Sequence, residues 1–148
     1  MKNIFTLIAL LASLASPAFA DESPIVGHFT GSNENFELIQ LNIKEIKVLQ
    51  EGSSVPESRI AGSITLTPKS NADDLAEADS SRSFMTPFRG ELDTSSRKLA
   101  AHVTSFFSTV NVELNCTFTS DDFNQANCTW TPAQGGTAPF EFTVTKKL

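Results

Sequence analysis

Residues 110–132, V-N-V-E-L-N-C-T-F-T-S-D-D-F-N-Q-A-N-C-T-W-T-P, constrain the fold more than any other stretch. Val110, Val112, Leu114, Cys116 and Phe118 fall on one face of an extended chain, with Asn111, Glu113, Asn115 and Thr117 on the other. Ala126, Cys128 and Trp130 repeat the pattern against Asn127, Thr129 and Thr131. This period of two marks half-buried strands. Placing Cys116 opposite Cys128 centres the turn on Asp121-Asp122-Phe123 and sets Leu114 against Trp130 and Phe118 against Ala126. Every apolar side chain then meets an apolar partner, and a Cys116–Cys128 disulfide would lock that register.

The remaining chain reads as a series of short strands. Ile25 to Gly31 gives a first strand ending in a glycine turn, and Ile60, Gly62, Ile64 and Leu66 mark another that Pro68 ends. Phe84, Thr86, Phe88, Gly90 and Leu92 carry a further strand, on which the opposed Pro87 implies an edge or a bulge. Leu99, Ala101, Val103 and Ser105 follow, and Phe140, Phe142 and Val144 close the chain after a Gln134-Gly135-Gly136 turn. Residues 36–49 fit helical and strand spacing alike, and β-branched enrichment favours strand. Their apolar positions shift from odd (Ile39, Leu41, Ile43) to even (Ile46, Val48), which predicts a β-bulge near Lys44-Glu45.

About eight strands joined mostly by short turns predict an all-β antiparallel meander. An up-and-down barrel is preferred because closure removes both sheet edges; a two-sheet β-sandwich is the alternative. The opening Gly27-x-Phe29 and its glycine turn resemble the start of lipocalin- and avidin-type barrels, which usually carry Trp where this chain has Phe29. The resemblance implies a shape and no ligand, since the avidin-type ligand set needs a Tyr and this chain has none.

Residues 1–20 have the form of a secretory signal peptide: Lys2, an apolar run from Ile4 to Leu14 too short to span a bilayer, and the small-x-small site Ala18-Phe19-Ala20. Cleavage after Ala20 would leave residues 21–148 as one periplasmic or secreted domain, with no transmembrane segment and enough chain for one core. Export also suits the disulfide. A formal charge of −6 over the whole chain argues against nucleic acid or anionic membranes as partners.

Motifs of chemistry are sparse. His28 and His102 lack metal-ligand spacing, and both cysteines are better used in a disulfide. The acidic segment Asn71-x-Asp73-Asp74-x-x-Glu77-x-Asp79, within a long polar stretch at residues 69–83, lacks the central glycine of a calcium loop and reads as solvated. Asp73-Asp74 and Asp121-Asp122 are paired carboxylates at loop tips, where little apolar surface could raise a pKa. No nucleophile motif is present, so the expectation is a binding protein without cofactor or metal, not an enzyme. The phrases Asn115-Cys116-Thr117 and Asn127-Cys128-Thr129 match a glycosylation acceptor, but cross-strand hydrogen bonding explains them better in a bacterial-type exported chain.

Two modes of binding remain open: loops at one end of the barrel holding a protein partner, or the interior holding a small apolar ligand. Twelve Phe read mainly as core filler and favour the first. An enzyme with a site assembled from scattered residues is a third reading. Candidate contact residues are Phe106 and Phe107, one on each face of their strand, together with His28 and His102.

Overall fold

A computed structural model describes residues 23–52, 54, 57–69, 83–104, 111–133 and 138–148. The leader-like segment, the acidic segment with Asp73-Asp74, Phe106 and Phe107, and the Gln134-Gly135-Gly136 turn lie outside the described residues. Eight strands follow one another: β1 (Gly27–Ser32), β2 (Phe36–Val48), β3 (Glu57–Pro68), β4 (Phe84–Asp93), β5 (Lys98–Thr104), β6 (Asn111–Phe118), β7 (Gln125–Pro132) and β8 (Phe140–Lys146). Each pairs antiparallel with the next, and β8 returns to β1 through Phe29 opposite Lys146 and Gly31 opposite Val144. The sheet is a closed up-and-down barrel, and the sandwich alternative is set aside.

Alternation drives the closure. Along β6 every even-numbered residue from Val112 to Phe118 is buried and every odd one is exposed. Neighbouring strands match that phase, so Leu92, Leu99, Cys116, Cys128 and Phe142 form one inward row, each opposite the next. The β6–β7 register is the one the cysteines imply, with Leu114 opposite Trp130, Phe118 opposite Ala126, and Cys116 bonded to Cys128 at a Cα separation of 4.0 Å. Two glycines permit close approaches. A side chain on Gly31 would meet the Thr143 carbonyl at the β1–β8 seam, and one on Gly62 would fall 2.6 Å from the ring of Phe88 opposite it.

β2 is a strand throughout, which resolves its ambiguous periodicity. The bulge expected near Lys44-Glu45 lies elsewhere: pairing with β3 runs unbroken from Leu38 to Val48, and the register shifts between Phe36 and Leu38, where Glu37 is the extra residue. Ile46 and Val48 therefore stay on the outer face. They can do so because β2 outruns β1, whose pairing ends at Gly27 opposite Ile43, and both side chains are only partly exposed there. Pro87 lies opposite Ser63 of β3, and among the described residues the β4–β5 ladder starts at Phe88 opposite Val103; residues 105–110, which continue the chain from β5, lie outside the described residues.

The two ends of the barrel differ. At one, Ile25 and Phe123 are buried across the opening, with the Phe123 ring 5.1 Å from Phe118, itself edge-on to Phe29 at 5.9 Å. Phe123 takes a left-handed backbone conformation (φ 53°), uncommon for a bulky residue, which lets its ring turn inward. Lys146 adds its ammonium, donating to the Pro24 carbonyl at 2.8 Å and lying 5.8 Å from the Phe29 ring centre. This end is plugged. The middle is filled by residues such as Phe29, Leu41, Ile64, Phe88, Leu114 and Val144, all at most 2% exposed. At the other end the described residues leave a cavity.

Candidate functional site

At the cavity end the strands stop pairing inward with aliphatic residues and present rings instead. A cavity of about 1090 Å³ is lined there by Phe36, Leu66, Phe84, Thr86, Trp130 and Phe140, with Asn33, Glu34, Asn35, Thr129, Ala138, Pro139 and Glu141 at its rim. Four rings form a continuous wall: Phe36 and Phe140 at 5.2 Å, Trp130 and Phe140 at 5.9 Å and near-parallel, and Phe140 against Phe142 below at 5.8 Å. Phe84, 58% exposed, stands at the start of β4 opposite Leu66.

Local chemistry sets these rings. The side chain of Asn33 accepts from the backbone N–H of Asn35 and Phe36, both at 2.9 Å, closing a tight turn between β1 and β2. Its Nδ2 donates to the Glu141 carbonyl at 3.2 Å and ties that turn to the start of β8. Phe36 is thereby brought over Phe140. Trp130 sits two residues beyond Cys128, so the disulfide fixes the strand that presents it.

Two further depressions lie on the outer wall. His28 borders one, with Val26, Asn42, Lys44, Glu45 and Lys47. The His28 ring Nδ1 donates to Oδ1 of Asn42, whose Nδ2 in turn points to Ser63 Oγ at 3.5 Å, so this histidine belongs to a cross-strand polar ladder. Glu45 beside it is held below the ordinary carboxylate pKa, first by a hydrogen bond with Ser58 and then by Lys47, 3.2 Å away. His102 borders the other depression, with Ile46, Val48, Arg59, Arg89 and Glu91. It is exposed on the outer face of β5, opposite Arg89 and Glu113. The structure thus places the two histidines at separate outer-wall sites and brings neither to the mouth.

Turn carboxylates are occupied locally. Asp93 accepts from the hydroxyls of Ser95 and Ser96 at 2.6 Å each, which lowers its pKa to about 2. The Ser120 hydroxyl, then the Asn124 backbone and side chain, lower that of Asp122. Asp121 pairs with Arg97 at 2.7 Å and joins two turns at the plugged end. Asp93 and Asp122, held ionised in this way, suit turn closure and not proton donation near neutrality. Among the described residues, no three His, Cys, Asp or Glu side chains gather as metal ligands, and no helix is long and apolar enough to cross a membrane. On the outer face of β7, Asn127 accepts from the Thr143 hydroxyl of β8 at 2.9 Å, a cross-strand hydrogen bond made outside its own hairpin.

Sequence reasoning placed Trp130 on the inner face but did not gather Phe36, Phe84 and Phe140 around it. The signal available was positional: inward-facing aromatics at strand ends that all lie at one end of an up-and-down barrel. No family model, curated protein or solved structure matches this chain, so the site stands on its geometry alone.

Proposed function

We propose that this is an exported, non-enzymatic binding protein that takes a small apolar ligand in the aromatic mouth of its barrel. The observation that carries the reading is the asymmetry of the interior among the described residues: one end plugged by Phe123 and Ile25, the other holding a cavity walled by Phe36, Phe84, Trp130 and Phe140. Ligand sites are commonly concave, apolar and aromatic, with a few polar groups at the rim, and the mouths of β-barrels are among their usual places. Because the middle of the barrel is filled, the ligand would rest at the mouth and not along the axis. The leader-like residues 1–20 and the cystine support export. The mouth also favours a small ligand over a protein partner held by loops, since a concave cup suits a compact apolar body better than a flat protein face.

The test uses an uncharged apolar dye, N-phenyl-1-naphthylamine. Trp130 is the sole Trp and the chain has no Tyr, so energy transfer from protein to dye reports on this cavity. Saturable uptake of one dye, weakened by Phe140→Ala while the variant stays folded, is the expected result. Absence of saturable transfer in folded protein would count against the reading.

A further inference from the structure

We propose that the mouth selects apolar ligands carrying a positive charge, organic cations of the alkyl- or arylammonium class. This rests on the mouth being the binding site and adds the sign of the ligand's charge.

Two independent features of the lining converge. The first is the rings. Phe36, Trp130 and Phe140 form a wall in which Trp130 and Phe140 lie near-parallel at 5.9 Å and Phe36 is tilted against Phe140 at 5.2 Å, so the lining is rich in aromatic rings. An aromatic face carries the negative lobe of the ring quadrupole and attracts an ammonium held within about 6 Å, most strongly when the cation is shielded from water. The second is the rim. Glu34 and Glu141 are the ionisable residues that line the cavity, and no Lys, Arg or His joins them among the described residues. Both are exposed, and neither has a cationic partner in any recorded ion pair among the described residues. The outer-wall depressions differ in this respect: one is lined by Lys44 and Lys47, the other by Arg59 and Arg89. Among the described residues the cavity lining thus carries two carboxylates and several rings, while Lys69, whose backbone N–H donates to the Asn35 carbonyl at 3.1 Å, stands beside the rim.

An apolar body would fill the space between Leu66, Phe84 and Phe140, leaving its charged head at the rim beside Glu34 and Glu141. A carboxylate head there would meet two like charges, and an uncharged head would gain neither attraction. The acidic net charge of the chain reinforces the same selection at longer range.

Three probes of equal chain length separate the possibilities: octyltrimethylammonium, octanol and octanoate, titrated at low salt and pH 7 with Trp130 emission as readout. The expected order is cation, then alcohol, then carboxylate, with the cation at least about tenfold tighter than the alcohol and its advantage shrinking as salt is raised. Glu34→Gln with Glu141→Gln should bring cation and alcohol within about twofold of each other without weakening the alcohol. Glu113→Gln, on the outer face of β6, should leave the preference intact. Equal binding of cation and alcohol by the natural protein would overturn the charge inference and leave apolar binding standing. So would a preference that survives the double variant, or one that Glu113→Gln abolishes equally. If none of the three probes binds at Trp130, apolar binding at the mouth fails and the charge inference fails with it.

Discussion

Trp130 and Phe140 face one another directly across β7 and β8, with ring centres 5.9 Å apart and planes inclined by 18°. Two residues deeper on the same strands, Cys128 lies opposite Phe142, and Cys128 is bonded to Cys116. The stacked pair at the mouth therefore stands on a covalently fixed base. Stiffness in the wall limits how far the rings must rearrange to receive a ligand, which lowers the ordering cost of binding.

The cystine should hold the barrel more than the mouth chemistry requires. It joins residues 12 apart in sequence, for which chain-entropy reasoning gives about 2–3 kcal/mol. Reduction should shift the urea midpoint by a corresponding amount while the far-ultraviolet spectrum stays that of a β-protein. Non-reduced mass spectrometry showing two free thiols would contradict the bond.

Phe88 fills the middle of the barrel opposite Gly62, at 2% exposure. Phe88→Ala should cost about 3–5 kcal/mol, measured by chemical denaturation, because the surrounding strands cannot close on the space left behind. Gly62→Ala should cost about 1–3 kcal/mol by the opposite error, since the added methyl meets both the Asn42 carbonyl and the Phe88 ring. Near-natural stability of Phe88→Ala would mean that the middle is hollow and the ligand site deeper than the mouth.

Acid should loosen the turns in a defined window. The Asp93 carboxyl falls from an ordinary 3.8 to about 2 in the folded chain, and Asp122 is lowered as well. A depressed folded pKa means that the unfolded chain takes up protons first, so this stabilisation is complete above about pH 4 and is lost as pH falls towards 2. Thermal melting should drop across that interval, and Asp93→Asn should both lower the melting temperature at pH 7 and flatten the drop. An unchanged acid slope in the variant would assign the loss to other carboxylates.

The strand order, the inward face and the cystine register were legible because each rests on period-two alternation, which a barrel preserves around its whole circumference. Residues 36–49 were less so. Ile46 and Val48 read as inward because they are apolar, yet they lie where β2 extends past β1 and are half-buried on the outer face. The bulge at Glu37 left no mark, since one extra residue at a strand's first turn disturbs no apolar pair. The mouth was hidden for a different reason. Phe36, Phe84, Trp130 and Phe140 are spread over more than a hundred residues of chain and meet only because closure gathers four strand ends. Alternation tells which way a ring points; how near the barrel's rim it lies depends on stagger, which no single segment records.

The most direct test of the central claim is amide chemical-shift mapping on isotope-labelled protein titrated with octyltrimethylammonium. The account predicts saturable shifts confined to the cavity end: residues 33–36, Leu66, Phe84 to Thr86, Thr129 and Trp130, and 138–141. The plugged end around Phe123 and the outer wall around His28 and His102 should stay still. Saturable shifts centred on either outer-wall depression, with Trp130 and Phe140 unmoved, would contradict it.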